Sequence, residues 1–197
     1  MTRAGDRAAW APRNVVLTGF MGSGKTAAGR ALAASLDFGF VDTDDLIRRD
    51  AGRDVPAIFE QEGEAGFRRR EREAIGSLAG RTRMVIATGG GAVIDRENAA
   101  ALRRLGPVVW LRASPETILA RLAGAQTRPL LAGAPGPEAM RRRIGELLAS
   151  REAAYAAADL AVDTDGMGPE ETAEAILAAL EKQRGRGDAS GARPGPA

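Results

Sequence analysis

The chain has no cysteine and no histidine, and among its 28 basic residues only Lys25 and Lys182 are lysine. The first absence removes disulfides, thiolate nucleophiles and cysteine-ligated metals from consideration. The second leaves acid–base chemistry near neutral pH to a carboxylate, a lysine or the single tyrosine, Tyr155. No window approaches the roughly 18 consecutive apolar residues of a membrane span, and the opening MTRAGDRAAWAPR has no apolar stretch of signal-peptide length. A cytoplasmic protein without membrane contact is therefore expected. Charge of one sign is scarce as well: the formal net charge is +2 and bases are dispersed among acids, which gives no stripe for nucleic acid. No internal repeat is present, and 197 residues at 44% apolar content suit one domain with a substantial core.

Against this background residues 19–26, GFMGSGKT, stand out. Gly19, Gly24, Lys25 and Thr26 fit the glycine-rich pattern in which backbone N–H groups wrap a phosphate, the lysine reaches the terminal phosphates and the hydroxyl holds Mg²⁺. A chain that otherwise uses arginine places a compact ammonium inside this loop. The run NVVLTG (14–19) before it reads as a strand, and Lys25 to Leu36 after it has helical spacing at Ala28, Ala31, Leu32 and Leu36. Further strand-length runs lie at 38–41, 84–88, 108–111 and 159–162, with helix-like stretches between them. This alternation predicts an α/β fold with a parallel sheet covered on both faces. The stretch 124–137, rich in glycine and proline, reads as an exposed loop, and the last residues, RGRGDASGARPGPA, read as a disordered tail.

Four further stretches carry candidate chemistry. FVDTDDLI (40–47) puts Asp42 and Asp44 two residues apart at the end of an apolar run, where an extended chain points both carboxylates the same way. One suits Mg²⁺, directly or through water, and the other a substrate hydroxyl; the plainer alternative is that Asp42, Thr43 or Asp44 caps a helix beginning near Asp45. In GEAGFRRREREAI (63–75) a helical wheel sets Arg68 and Glu71 on one face with Phe67, Ile75 and Leu78. The two can simply pair, or Glu71 can orient Arg68 toward a substrate anion. Gly89, Gly90 and Gly91 end a strand and permit close backbone approach and unusual dihedrals. Arg128 lies in the glycine- and proline-rich loop, where a cation can close over a transferring phosphoryl group. Arg151 and Tyr155, four apart, read by themselves as ordinary helix surface.

Together GFMGSGKT, DTD, GEAGFRRRE, GGG and RPLL, in that order, resemble the shikimate kinase family, from about Val15 to Leu180. The resemblance implies a three-layer P-loop kinase fold like that of nucleoside monophosphate kinases, with a five-stranded parallel sheet flanked by helices. It implies transfer of the γ-phosphoryl of ATP to the 3-hydroxyl of shikimate, with Mg²⁺, by a monomer whose partners are small molecules. Under it Lys25, Asp44 and Arg128 are catalytic. ATP is bound by Gly22, Ser23, Gly24, Lys25, Thr26, Ala27, Arg121, Arg128 and Pro169, with Arg121 and Pro169 beside adenine. Shikimate is bound by Asp44, Arg68, Gly89, Gly90, Gly91 and Arg151, and Mg²⁺ by Thr26 and, through water, Asp42. The implied organisation is a flexible segment over 1–13, a kinase domain over 14–183 with a lid at about 123–137, and a disordered tail over 184–197. Where the family has Pro-Leu-Tyr after its second carboxylate-binding arginine, this chain has Glu152, Ala153, Ala154 and Tyr155. The alternatives are another small-molecule kinase on the same framework, such as a gluconate kinase, and an inactive relative that only binds ATP. A GTPase is excluded, since neither lysine stands in an Asn-Lys-x-Asp motif.

Overall fold

The computed structural model describes residues 11–123 and 136–191, with side chains through residue 185. Five strands, β1 (Asn14–Thr18), β2 (Gly39–Asp42), β3 (Met84–Ala87), β4 (Val108–Arg112) and β5 (Leu160–Asp163), form one parallel sheet in the order β2-β3-β1-β4-β5. The helices are α1 (Lys25–Leu36), α2 (Thr43–Ala51), α3 (Val55–Gly76), α4 (Arg96–Leu105), α5 (Pro115–Leu122), α6 (Gly136–Ala156) and α7 (Pro169–Gly191), with a single 3₁₀ turn at Ala92–Ile94.

Alternation along β1 divides the core. Val15 and Leu17 face α1 and α7, packing with Leu32, Leu36, Ile176 and Leu177. Val16 faces the other way, toward Ile47, Ile75 and Leu102 of α2, α3 and α4. Both faces of the strand are therefore covered, and all of these side chains are essentially inaccessible. Each contributes about 2 kcal/mol by leaving water. A smaller cluster of Phe20, Ile118 and Ile144 joins the loop after β1 to α5 and α6. Asn14 fastens the far end of the sheet: its amide nitrogen donates to the carbonyls of Arg81 (2.9 Å) and Leu105 (3.0 Å), and its oxygen accepts from Met84 N–H (3.0 Å).

The strand order fixes where a ligand can sit. After β1 the chain crosses to the β2 edge, and after β3 it returns across β1 to β4, so the C-terminal ends of β1 and β3 border a crevice that no crossover covers. The glycine loop follows β1 there, and Thr88 with the three glycines follows β3.

Several boundaries differ from expectation. Helix α2 starts at Thr43 rather than near Asp45, because the Asp42 side chain accepts from Asp44 N–H and caps it. Asp44 thus stands in the first helical turn, and strand alternation does not orient it. Helix α7 continues to Gly191, past the expected start of a disordered tail at 184; the first proline beyond it is Pro194, and the glycines of 185–191 weaken a helix without blocking its hydrogen bonds. At the other end Ala11 packs on the core and the Arg13 carbonyl accepts from Arg83 N–H, so 11–13 belong to the domain. Residues 1–10, residues 124–135 with Arg128 and the expected lid, and 192–197 lie outside the described residues. No described helix is long and apolar enough to cross a membrane.

Candidate active site

A cavity of about 730 Å³ opens at the crevice, within the usual range for small-ligand sites. One wall is the loop: Met21, Gly22, Gly24, Lys25, Thr26 and Ala27. Gly22 (φ 77°) and Gly24 (φ 93°) take left-handed conformations, which glycine alone adopts without cost. At Gly19 a Cβ would lie 2.5 Å from the Leu111 carbonyl oxygen, so the chain there has no room for any side chain. Gly24 leads into α1 without a side-chain cap, and the first turn of α1 holds no acid. The helix start thereby keeps its N–H groups and dipole for an anion. Lys25 Nζ donates to the Gly19 and Phe20 carbonyls at 2.8 Å each, which folds the ammonium over the loop it serves. Ser23, expected among the ATP-binding residues, faces inward: it is 1% exposed, its N–H donates to Phe20 O (3.2 Å), and it is no part of the cavity wall.

At the loop's edge Thr26 Oγ1 donates to Asp42 Oδ2 (2.9 Å), while Asp42 Oδ1 is the cap of α2. The capping reading of Asp42 therefore holds on one oxygen, and the other oxygen meets Thr26. A hydroxyl and a carboxylate, two hard oxygen donors beside a phosphate cradle, fit a divalent ion that keeps several waters. Among the described residues no cluster of three or more acidic side chains forms a protein-only metal cage.

A second part of the wall is built on the turn after β3, from Thr88 and Gly90. The three glycines are required by close approach rather than by unusual dihedrals, since none lies in the left-handed region. A Cβ on Gly89 would meet Asp44 Oδ1 at 2.6 Å, one on Gly90 would meet Met21 N at 3.3 Å, and one on Gly91 would meet the Arg68 guanidinium at 3.0 Å. Gly89 N–H donates to Thr43 Oγ1 (3.0 Å), which ties the turn to the start of α2. Asp44 and Gly90 line the cavity itself; Arg68, Arg151, Gly89, Gly91 and Pro169 are no part of its wall.

Arg68 and Glu71 pair as the helical wheel implies, Nη1 to Oε2 at 2.8 Å. Glu71 is 1% exposed and accepts also from Asn98 Nδ2 (3.2 Å), a buried side chain on α4. Burial raises the Glu71 carboxyl above its usual range; Arg68 opposes this and the nearby Asp44 and Asp95 add to it. Burial alone would lower the Arg68 guanidinium, but the bond and charge of Glu71 hold it higher than usual. Arg68 thus keeps its bond to Glu71 with a guanidinium edge against Gly91.

Helix α6 supplies Arg151 and Tyr155, and neither is ordinary surface. Without the family's proline, α6 runs unbroken through Arg151 to Ala156. Tyr155 is fully buried, stacks on Trp110 (centroids 5.7 Å apart) and donates its hydroxyl to the Gly90 carbonyl at 2.5 Å. Arg151 Nη1 approaches the same carbonyl at 3.4 Å, with its guanidinium 5.5 Å from the centre of the Phe20 ring. On the other side of the loop Arg121 donates to Gly22 O (3.5 Å), Thr164 Oγ1 (3.0 Å), Thr164 O (2.6 Å) and Met167 O (3.2 Å). It ties the loop to the segment that ends at Pro169, the first residue of α7.

Sequence reasoning passed over Asn98 and undervalued Tyr155. Asn98 precedes the buried Leu102 by one helical turn, and a polar residue on that face was the available signal. Tyr155 had only its i, i+4 relation to Arg151.

The shikimate kinase family model matches residues 21–181. A shikimate kinase of Symbiobacterium thermophilum is 49% identical over 177 residues, covering 88% of this chain and 99% of that protein. Among solved structures, the shikimate kinase of Acinetobacter baumannii in complex with shikimate superposes with a TM-score of 0.81 at 36% identity, over 87% of this chain and 94% of that one. A gluconokinase from Sinorhizobium meliloti shares the fold alone, with a TM-score of 0.58 at 18% identity over 90% of this chain and 97% of that one.

Proposed function

The chain belongs to the shikimate kinase family and is a phosphotransferase; from that premise we propose how its own residues carry a phosphoryl group from ATP to the 3-hydroxyl of shikimate. The N–H groups at Gly22, Gly24 and the start of α1 receive the β and γ phosphates, and Lys25 exchanges its two loop carbonyls for them. Thr26 and Asp42 would hold Mg²⁺, Asp42 through water; when bound, the ion neutralises charge on the β and γ oxygens. Arg121, set between Gly22 and Met167, flanks the adenine together with Pro169.

At the turn after β3 Arg68 and Arg151 take the substrate carboxylate, whose planar anion suits a guanidinium fork. Asp44 accepts a hydrogen bond from the ring hydroxyl and takes its proton as the bond to phosphorus forms. Such a loose transition state needs positioning and charge stabilisation more than a strong base, so a chain without histidine suffices. One observation supports this reading: Asp44, Arg68 and Arg151 all meet the same turn, Gly89–Gly91, which packs directly against the phosphate loop at Met21. A pair of arginines beside a carboxylate also favours an acidic polyol over a nucleotide acceptor. The proposal includes a cytoplasmic monomer.

The test is a coupled ADP-release assay with shikimate, quinate, gluconate and nucleoside monophosphates as acceptors. Shikimate should be turned over fastest. No turnover of shikimate beside brisk turnover of another acceptor would defeat the proposal.

A further inference from the structure

We infer that Tyr155 is a positioning residue for substrate binding: its hydroxyl saturates the Gly90 carbonyl and so keeps the Arg151 guanidinium available to the substrate carboxylate. This rests on the role proposed above for Arg151 and extends it to a side chain that never touches the substrate.

Two donors converge on one carbonyl oxygen, the phenol at 2.5 Å and Arg151 Nη1 at 3.4 Å. The first is a full hydrogen bond, and the second is at the outer limit of one. Among the described residues no carboxylate lies within ion-pair distance of Arg151. Its cation rests on the Phe20 face, on that distant carbonyl and on the Tyr155 hydroxyl oxygen, which accepts from it. Arg68, by contrast, already holds Glu71. An arginine half-buried without an anion is poised for one, provided nothing nearer takes its donors.

Gly90 O competes for the Arg151 donors, and Tyr155 satisfies it with its proton while its oxygen accepts from Arg151. The phenol is suited to this role because burial raises it above its ordinary value against the pull of Arg151, so it stays protonated and donating. Its ring is fixed by the Trp110 stack and by full burial, which leaves the hydroxyl a single direction. If the hydroxyl were removed, the carbonyl would draw Arg151 inward by about 0.5 Å to reach normal bonding distance. A displacement of that size away from the anion weakens binding of the acid, leaving the nucleotide side of the cavity unaffected.

Steady-state kinetics of Tyr155→Phe, Arg151→Ala and the double variant test this. Tyr155→Phe should raise the KM for shikimate on the order of tenfold, with kcat and the KM for ATP within about twofold. In the Arg151→Ala background the same change should add nothing, because the residue it positions is gone. An unchanged KM in Tyr155→Phe, or an effect that multiplies with that of Arg151→Ala, overturns the inference. If Arg151→Ala itself leaves the KM for shikimate unchanged, the role of Arg151 fails instead. Since Tyr155 is the only tyrosine in the chain, growth on 3-fluorotyrosine labels this site alone and avoids any folding defect. The ¹⁹F resonance should shift on adding shikimate to the wild type and not to Arg151→Ala. No shift in the wild type, or an equal shift in both, also overturns it.

Discussion

Replacing Gly89 by alanine separates space from backbone as the reason for the glycine turn. Gly89 is outside the left-handed region, so alanine meets no intrinsic dihedral penalty there. The added methyl would lie 2.6 Å from Asp44 Oδ1 and 3.3 Å from Glu71 Oε1. An ordinary contact needs about 3.4 Å, so the turn and Asp44 must part by roughly 0.8 Å. The turn is anchored by Gly89 N–H on Thr43, and Asp44 sits in the capped first turn of α2, so neither moves alone. Overpacking of this kind costs about 1–3 kcal/mol of stability. A displacement near 1 Å of a group that receives the reacting hydroxyl lowers kcat on the order of a hundredfold. The comparison is Gly145→Ala in the middle of α6, where a Cβ meets nothing within 4 Å. That change should stabilise by about 0.5–1 kcal/mol and leave kcat alone. Thermal unfolding and the coupled ADP assay on both variants give the answer. Wild-type kcat in Gly89→Ala would refute the claim that this turn is packed against the catalytic carboxylate.

Lys25→Ala and Asp44→Asn should each lower kcat by at least about a hundredfold, as expected for positioning and acid–base groups; near-normal rates in either would remove its assigned role. Asn14→Ala removes two part-buried hydrogen bonds to carbonyls and one from an N–H, so a loss of about 3 kcal/mol is expected in denaturant titrations, and a loss under about 1 kcal/mol would contradict that accounting. The Asp95 carboxyl is held below its usual value chiefly by Asn98 N–H; burial opposes this, and Glu97 N–H and Arg72 add to the lowering. A depressed folded value gives stability that is present above the ordinary Asp range and lost as pH falls through the folded one. Asp95→Ala should therefore cost about 1 kcal/mol near neutral pH, with the difference from wild type closing below about pH 4; a constant gap down to about pH 2 would show that the carboxylate is irrelevant.

Much of this arrangement was legible in the order of residues because local rules governed it. The interval Lys25–Leu36 is a helix at both ends as read, since a glycine loop starts it and Asp37, in the left-handed conformation, ends it. The Arg68–Glu71 pair follows from helical spacing alone. What was not legible depends on partners distant in sequence. Strand alternation could not orient Asp44, because Asp42 starts a helix as soon as the sheet ends. The glycines of the β3 turn stand out in the sequence, but not that a carboxylate 45 positions earlier and a guanidinium 23 positions earlier in the chain approach them. Tyr155 looked like surface because it stands among alanines, and only Gly90 and Trp110, brought to it by the sheet, make it interior.

The Trp110–Tyr155 stack has a spectroscopic consequence. The chain has one other tryptophan, Trp10, and a Trp10→Phe variant would leave a single indole lying against the ring whose oxygen hangs on the substrate turn. Its emission should then change on titration with shikimate, giving a dissociation constant for the acid without turnover, nucleotide or added dye. A spectrum that stays unchanged at saturation would mean that binding leaves this aromatic pair undisturbed.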